Sequence, residues 1–231
     1  MISIIVASVD KHLLDQLKRN IKRTIGVPYE IIAFENSDGQ NGLCKLYNEG
    51  ANAANYEILC FSHEDVLFQT PNWGKKIVDI FRNTPDLGLL GVAGSTYKSI
   101  IPSSWSPPFD YNESTWRINI LQGFKNKPLI EKHDFRNPKN ELLSSVASID
   151  GVWMCSTKKI ILEHPFDEAL LTGFHGYDVD ISIKISQQYK VYVTHEVLLK
   201  HLSEVSALWS TSMKNVMMSL ALLDEQRRKK S

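Results

Sequence analysis

The sequence carries no net charge of either sign and has no long hydrophobic run. Its 26 basic and 26 acidic residues cancel to a formal net charge of zero, so no overall field favours binding to nucleic acid. No apolar stretch approaches the ~20 residues of a membrane span, and the N-terminus lacks the basic segment and cleavage site of a signal peptide. These absences predict a soluble, cytoplasmic protein with no transmembrane segment and no nucleic-acid partner.

Cysteine is scarce and irregularly spaced. Cys44, Cys60 and Cys155 form no spaced metal-binding set, and three cysteines cannot all pair. Cys60 and Cys155 lie within apolar runs, which predicts that they behave as small buried hydrophobic residues. Such a pattern is typical of a protein from a reducing compartment.

Three motifs of well-known enzyme classes are also missing. The chain has no G-x-x-x-x-G-K-[ST] loop, no strand-linked G-x-G-x-x-G and no G-x-S-x-G elbow. Their absence argues against P-loop nucleotide hydrolysis, dinucleotide redox chemistry and α/β-hydrolase chemistry, respectively.

The chain does have enough apolar residues for a large core, since 43% of its 231 residues are hydrophobic. In the N-terminal part, short apolar runs alternate with segments of helical periodicity. These patterns predict strands at 2–9, 29–36 and 57–62 and helices at 12–25 and 42–54. A β-α-β-α-β order implies a parallel sheet with right-handed crossovers.

Residues 95–148 differ from the rest of the chain. Five prolines interrupt this segment, and Trp105, Phe109, Tyr111 and Trp116 cluster near its start. The composition predicts a long irregular excursion. The elements predicted around it are a helix at 73–82, strands at 87–94, 144–157 and 190–194, a helix at 178–188 and a C-terminal helix over about 206–227.

One group of polar residues follows the strand predicted at 57–62. His63, Glu64 and Asp65 come directly after it, and open α/β sheets bind ligands outside the carboxyl ends of their strands. Acidic residues there can hold a divalent cation, which in turn can neutralise a phosphorylated substrate. The alternative is a polar turn after a strand.

A second acidic group, Asp178 and Asp180, opens the helix predicted at 178–188. Either side chain can face a cleft, or Asp178 can be only an N-cap and Asp180 a solvated acid favoured by the helix dipole. Farther along, His201 can complete a mixed carboxylate–imidazole site for Mn²⁺ or a similar cation. A structural histidine is the alternative, and His195, His63 and His175 compete for the role.

The order of these segments is similar to the family-two-type glycosyltransferases with the GT-A fold. The family's first strand, acidic turn, A-x-N-x-G-like helix and D-x-D resemble, in that order, ISIIVAS, IIAFENSDG, KLYNEG and ILCFSHED. Its later motifs resemble SIDGVWMCSTKK, FDEAL, GFHGYDVDIS and QQYKVYVTHEVLLKH. The resemblance covers roughly 1–94 and 145–202.

The resemblance implies an α/β, GT-A-like fold. Its Rossmann-like, mostly parallel central sheet is flanked by helices, with an irregular middle excursion and a C-terminal helix. It also implies a single domain over 1–231. Within it, 1–94 is the nucleotide-sugar-binding half, 95–148 an irregular insert, and 149–231 the acceptor-side half with the C-terminal helix.

Residue roles follow from the same motifs. The resemblance implies that Asp178 is the catalytic base and that Asp65, His63 and His201 hold a divalent cation, Mn²⁺ or Mg²⁺. The residues it implies for donor binding are Ala7, Ser8, Glu35, Asn36, Asp38, Asn48, Glu64, Asp65, Asp150 and Gly151. Two positions depart from the family pattern: His63 replaces the first aspartate of D-x-D, and Tyr177 replaces the glutamate of E-D.

The function implied is that of a metal-dependent inverting glycosyltransferase (hexosyltransferase-like) in polysaccharide biosynthesis. It would move sugar from a nucleotide-sugar, with UDP-sugar favoured, to a glycan or lipid-linked acceptor hydroxyl. The aromatic residues at 105–116 would form an acceptor wall or lid, or else a self-packed loop or oligomer contact. The RRKK run at 227–230 would touch an anionic membrane or simply end a solvated helix.

Two alternatives stand beside this function. The replaced His63 and Tyr177 favour a catalytically degenerate module that binds a nucleotide or glycan without transfer. A nucleotidyltransferase is the other, but it requires a Gly-rich basic loop after the first strand, which Ser8-Val9-Asp10-Lys11 does not supply.

Overall fold

The protein forms two β-sheets with helices, seen in a computed structural model that describes residues 1–100, 103–106, 114–124 and 131–203. The predicted C-terminal helix, the RRKK run, Phe109 and Tyr111 lie outside the described residues. In chain order the elements are β1 (Ile2–Ser8), α1 (Lys11–Thr24), β2 (Tyr29–Glu35), α2 (Leu43–Ala53), β3 (Ile58–Ser62), β4 (Val66–Phe68), α3 (Trp73–Asn83), β5 (Leu87–Gly91), β6 (Ala93–Ser95), β7 (Trp116–Phe124), β8 (Glu131–Arg136), β9 (Leu143–Val146), β10 (Ser148–Ile149), β11 (Trp153–Thr157), α4 (Lys158–Glu163), α5 (Tyr177–Ser186), β12 (Lys190–Thr194) and β13 (Leu199–Ser203).

The larger sheet has the strand order β2-β1-β3-β11-β5-β12-β9. β1 runs parallel to both β2 and β3, and β5 runs parallel to β12. Because β11 is antiparallel to both β3 and β5, the strands β1, β2, β3, β5 and β12 all point the same way. The predicted α/β class with a mostly parallel central sheet is therefore confirmed, with β11 and β9 as the two reversed strands.

The smaller sheet has the order β10-β6-β7-β13-β4, with β8 paired to β7. Its strand β13 runs antiparallel to β4, with His201 opposite Val66. Because β4 begins directly after Asp65, this pairing brings the C-terminal strand β13 to the end of β3. The smaller sheet thus assembles residues from distant parts of the sequence beside the larger one.

The expectation of an irregular excursion over 95–148 was wrong for much of the part that the structure describes. Residues 116–124 and 131–136 form the antiparallel pair β7–β8. The strand β9 belongs to the larger sheet and β10 to the smaller one. In β7, the apolar Ile118 and Ile120 alternate with polar neighbours, which is the period of a strand. Pro138, the one proline of the segment that the structure describes, lies in the turn after β8.

Cys60 and Cys155 form a disulfide, which the prediction of two small buried hydrophobic residues did not include. They face each other in the antiparallel register of β3 and β11, with Cα atoms 4.2 Å apart. Both are fully buried, as predicted, and Cys44 is a buried free thiol. The argument for a reducing compartment from cysteine usage therefore loses its basis.

Each helix that the structure describes is too short or too polar to cross a bilayer. The amphipathic helix α1 buries Leu13, Leu17 and Ile21 at the predicted spacing, and the Asp10 side chain caps its first turn. These contacts anchor the turn between β1 and α1, next to the residues that follow β3.

Candidate functional site

Three side chains converge at the end of β3 to form what we call the cation cluster: His63, Asp65 and His201. One ligand atom from each lies within 4.8 Å of the others. The pairing of β4 with β13 fixes this arrangement, because the Leu202 amide donates a hydrogen bond to the Asp65 carbonyl (2.9 Å). The three residues predicted as metal ligands are thus brought together, although 138 positions separate the first from the last.

The cation cluster is partly accessible to solvent and has the chemistry of a transition-metal site. The side chains of Asp65 and His201 are 17% and 23% exposed, with His201 Nε2 3.7 Å from Asp65 Oδ1. Burial lowers the pKa of His63 below its ordinary value, although Asp65 opposes the shift. A neutral imidazole is the form that binds metal. Two imidazoles and one carboxylate suit Mn²⁺ and similar cations better than Mg²⁺, which prefers oxygen ligands.

The other histidines considered from the sequence lie elsewhere. His195 lies 3.3 Å from the Ser144 hydroxyl through its Nε2, and its ring packs on Phe135. His175 is exposed. Neither belongs to a metal-compatible group among the residues that the structure describes.

Glu64 points away from its neighbours in the H-E-D segment and is only 9% exposed. Its carboxylate accepts hydrogen bonds from the Ser8 hydroxyl and from the backbone amides of Val9 (3.2 Å) and Asp10 (3.1 Å). Glu64 therefore ties the end of β3 to the turn after β1. Its predicted contact with the donor stays a prediction.

Asp178 lies in the first turn of α5, whose N-cap is Gly176 at a φ of 83°. The alternative that Asp178 is itself the N-cap is therefore wrong. Its Oδ2 accepts a hydrogen bond from the Gly151 amide (3.2 Å). Burial, together with the charge of nearby Asp150, raises the pKa of Asp178 to about 7. A carboxyl group with such a pKa can accept a proton near neutral pH. Asp180, by contrast, pairs with Lys184 (3.3 Å).

Asp150 and Gly151 occupy the turn between β10 and β11. The Asp150 amide donates to the Ala93 carbonyl (2.9 Å), and its Oδ1 accepts from the Val152 amide (2.8 Å). A Cβ added to Gly151 would lie 2.2 Å from the Tyr177 hydroxyl oxygen, so a larger residue would displace that side chain. The turn therefore places the Asp150 carboxylate and the Gly151 peptide beside Asp178, and the Tyr177 hydroxyl lies close to that peptide.

Tyr177 connects the two groups of predicted residues. Its hydroxyl donates to the Gly151 carbonyl (3.1 Å) and lies 2.8 Å from His63 Nε2. Burial raises the pKa of Tyr177 well above its ordinary value. Sequence reasoning noted Tyr177 and His63 as separate departures and missed their contact, because 114 residues lie between them.

The residues predicted at the nucleotide side lie at the ends of β1 and β2. In the parallel register, Ala7 is opposite Phe34 and Ser8 is opposite Glu35. Asn36 is buried and closes the following turn, donating its side-chain amide to the Asn41 carbonyl (2.8 Å). The exposed Asp38 accepts a hydrogen bond from the Gln40 amide (3.1 Å). These donor-binding roles remain predictions.

Asn48 makes contacts that fasten the F-D-E segment to α2. Its side-chain amide donates to the Phe166 carbonyl (2.9 Å) and to Glu168 (2.9 Å), and its oxygen accepts from the Phe166 amide (3.0 Å). A side chain with these bonds holds the backbone before α5. These contacts explain Asn48 without a donor, and its role in donor binding stays a prediction.

Lys98 was not among the residues predicted from the sequence. Its ammonium group donates to the Ser99 carbonyl and the Ser103 hydroxyl, each at 2.9 Å. Desolvation lowers its pKa, while the charge of Asp178 acts in the opposite direction. Lys98 lies in the proline-interrupted segment, where no motif signals a charged residue close enough to Asp178 to affect its electrostatics.

Two of the aromatic residues noted in the sequence lie within the described ranges. The rings of Trp105 and Trp116 meet edge to face, with centroids 5.7 Å apart. The Trp105 carbonyl accepts a hydrogen bond from the Ser148 hydroxyl (3.0 Å), two residues before Asp150. This contact anchors the aromatic pair on β10, and the predicted acceptor wall stays a prediction.

The chain matches a known protein family and is similar to solved structures. A family model described as "Glycosyltransferase like family" matches residues 3–230. Among solved structures, the chain is similar to GalNAc-T7 with UDP, GalNAc and Mn²⁺, with a TM-score of 0.60 and 11% identity, covering 89% of this chain and 44% of that one. It is also similar to TarS of S. aureus, with a TM-score of 0.50 and 10% identity, covering 87% of this chain and 36% of that one.

The chain thus spans less than half the length of either structural neighbour. No curated protein sequence matches it. At these identities the structural likeness bears on the fold, and the predicted GT-A fold is confirmed. The family match supports the predicted glycosyltransferase class.

Proposed function

Because the chain belongs to the glycosyltransferase-like family, we propose that it transfers a sugar from a nucleotide-sugar donor to an acceptor hydroxyl at a cation-dependent site. The observation that carries this proposal is the convergence of His63, Asp65 and His201 within 4.8 Å at the end of β3. This position supports the proposal because open α/β sheets bind ligands outside the carboxyl ends of their strands, where a cation would neutralise the charge of a diphosphate. The three predicted ligands thus lie at the strand end where the diphosphate of the donor is proposed to bind.

Asp178 supplies the base in this mechanism. Its carboxylate takes the proton from the acceptor hydroxyl while that oxygen attacks the anomeric carbon, and the bond from that carbon to the diphosphate breaks on the opposite face. The configuration at the anomeric carbon is therefore inverted. A bound Mn²⁺ or Mg²⁺, held by the cation cluster, would offset the charge that develops on the departing diphosphate.

A UDP-sugar is the proposed donor, and a glycan or lipid-linked hydroxyl is the proposed acceptor. The structural neighbour GalNAc-T7 is seen with UDP, GalNAc and Mn²⁺, which supports a uridine nucleotide and manganese for this chain as well. Lys98 lies close enough to Asp178 to be influenced by its charge. It is a candidate for holding an anionic group of either substrate.

A second candidate function is binding of a nucleotide or glycan without transfer. The observation that favours it is the pair of replacements, His63 and Tyr177, at motif positions that carry carboxylates in the resembled family. These two side chains contact each other (2.8 Å), and His63 also belongs to the cation cluster, which supports transfer over binding alone.

The proposal is tested by titrating the protein with UDP in the presence of Mn²⁺, Mg²⁺ or a chelator, using calorimetry. We expect UDP to bind about tenfold more tightly with Mn²⁺ than with Mg²⁺, because two of the three ligands are imidazoles. Chelation should weaken binding further. His12→Asn serves as a control for cation binding by surface histidines, since His12 is exposed on α1. Its Mn²⁺ and UDP affinities should match those of the wild type. A protein that binds neither Mn²⁺ nor UDP would refute the proposal.

A further inference from the structure

The two residues that depart from the family motifs are hydrogen-bonded to each other. His63 Nε2 lies 2.8 Å from the Tyr177 hydroxyl oxygen, and that hydroxyl donates to the Gly151 carbonyl (3.1 Å). The positions come from separate parts of the chain, one at the end of β3 and the other at the start of α5. Their contact places a tyrosine directly behind a residue of the cation cluster.

The direction of these hydrogen bonds follows from counting protons. A phenol has one hydrogen to donate, and a carbonyl oxygen can only accept. Since the Tyr177 hydrogen goes to the Gly151 carbonyl, the bond to His63 must use a hydrogen on Nε2. A neutral imidazole with its hydrogen on Nε2 has its lone pair on Nδ1, which is then the nitrogen able to bind a cation.

We propose that Tyr177 is a positioning residue that holds His63 in the Nε2–H tautomer, so that Nδ1 serves the cation cluster. This inference rests on the proposed function in that the cluster binds a cation. Histidine ligands of metals commonly donate their other ring hydrogen to an oxygen acceptor, which orients the ring and raises its basicity. In this chain a tyrosine hydroxyl, itself oriented by a backbone carbonyl, is that acceptor.

The surroundings of Tyr177 keep its hydroxyl in place. Its ring is buried and meets Tyr47 edge to face at 5.7 Å between ring centroids. Gly151 admits the hydroxyl only because it has no Cβ, which would lie 2.2 Å away. The amide of the same glycine donates to Asp178 Oδ2 (3.2 Å). A single residue of the β10–β11 turn therefore orients both the proposed base and the tyrosine behind the cation cluster.

The tautomer can be measured without any cation, by long-range ¹H–¹⁵N correlation of the His63 ring in the wild-type protein at pH 7.5. We expect the Nε2–H pattern in the wild type and a shift toward the Nδ1–H form, or a mixture of the two, in Tyr177→Phe. Finding His63 in the Nδ1–H form in the wild type would overturn the proposal, as would an unchanged pattern in the variant.

Cation affinity gives a second readout. We expect Tyr177→Phe to weaken Mn²⁺ binding, measured by calorimetry without nucleotide, by about tenfold or more. Tyr192→Phe is the matched control, because it makes the same chemical change at a tyrosine whose hydroxyl bonds to Asp86 (3.4 Å) instead of to His63; its Mn²⁺ affinity should match that of the wild type. Equal affinity in wild type and Tyr177→Phe would overturn the proposal.

These measurements separate the inference from the proposed function. If the wild type binds Mn²⁺ and has the expected tautomer but binds no UDP, the glycosyltransferase proposal fails while the role of Tyr177 stands. If UDP and Mn²⁺ bind but Tyr177→Phe changes neither tautomer nor affinity, the inference alone fails. Thermal unfolding of the cation-free variants shows whether each remains folded.

Discussion

Asp178→Asn is expected to abolish sugar transfer while leaving the donor site intact. Asparagine keeps the size of the side chain but cannot accept the acceptor proton, and such general-base contributions amount to about 10³-fold in rate. UDP affinity in the presence of Mn²⁺ should stay within about threefold of the wild type, because Asp178 lies outside the cation cluster. Turnover would be measured as release of UDP from UDP-sugars with a glycan acceptor.

The control is Asp180→Asn, which removes the other acid in the first turn of the same helix. Asp180 pairs with Lys184 across one helical turn, with each side chain 31% exposed, and i,i+4 ion pairs on helices contribute little. We expect near-normal turnover in this variant. Substantial transfer by Asp178→Asn would contradict its assignment as the base. The wild-type rate should also rise about tenfold per pH unit below pH 7 and level off above it, because the pKa of Asp178 is about 7.

Asp178→Asn should also increase stability above pH 7. A purely structural role for Asp178 would not produce this increase. The pKa of Asp178 is raised from 3.8 to about 7 in the folded protein. Between these values the folded state therefore holds a proton that the unfolded state has lost, and stability falls as pH rises. Asp178→Asn removes this cost, so we expect its free energy of unfolding to exceed that of the wild type by about 1–4 kcal/mol at pH 8.

Denaturant unfolding of cation-free protein at pH 4 and pH 8 tests this sign. The stability difference between the variant and the wild type should be present at pH 8 and largely gone at pH 4, where both forms are neutral at this position. A variant that is less stable than the wild type at pH 8 would mean that the bond from the Gly151 amide (3.2 Å) outweighs the cost of the buried charge.

Much of the fold follows from local patterns in the sequence. The strand predicted at 190–194 coincides with β12, and the helices predicted at 12–25 and 73–82 lie within a residue of α1 and α3 at each end. In these elements the apolar period and the stop signals agree, so local preference and tertiary packing favour the same structure. The short elements β4 and α4, of three and six residues, were not predicted because so few positions show no periodicity.

The site was predictable where strand ends bring residues together, and less so where contacts cross the fold. His63, Asp65 and His201 were identified from motif order, and the cluster agrees with that choice. The disulfide and the His63–Tyr177 contact depend on the register of β11 and on the position of α5, which no local pattern encodes. His63, Glu64 and Asp65 lie in the turn between β3 and β4, so no strand period separates the two cluster residues from Glu64, which bonds to the β1–α1 turn instead.

The different contacts of Glu64 and Asp65 lead to the second prediction with a large effect, which contrasts these two adjacent acids. Asp65→Asn should weaken Mn²⁺ binding by at least about 100-fold, because the cation cluster loses its only carboxylate among the described ligands. Its thermal stability without cation should change less than that of Glu64→Gln, because asparagine preserves the shape of the Asp65 side chain. Calorimetry with Mn²⁺ and thermal unfolding measure the two quantities separately.

Glu64→Gln should show the reverse. The carboxylate of Glu64 accepts hydrogen bonds from the Val9 and Asp10 amides and the Ser8 hydroxyl, and glutamine replaces one of its oxygens with a donor group that faces those same donors. Weakening these charge-assisted bonds should lower the free energy of unfolding by about 2–4 kcal/mol, while Mn²⁺ affinity of the folded protein stays within about threefold. Loss of Mn²⁺ binding in Glu64→Gln with unchanged stability would place Glu64, and not Asp65, at the cation. Opposite effects of these neighbouring substitutions would show that the β3–β4 turn serves both tasks, with Glu64 holding the β1–α1 turn and Asp65 holding the ion.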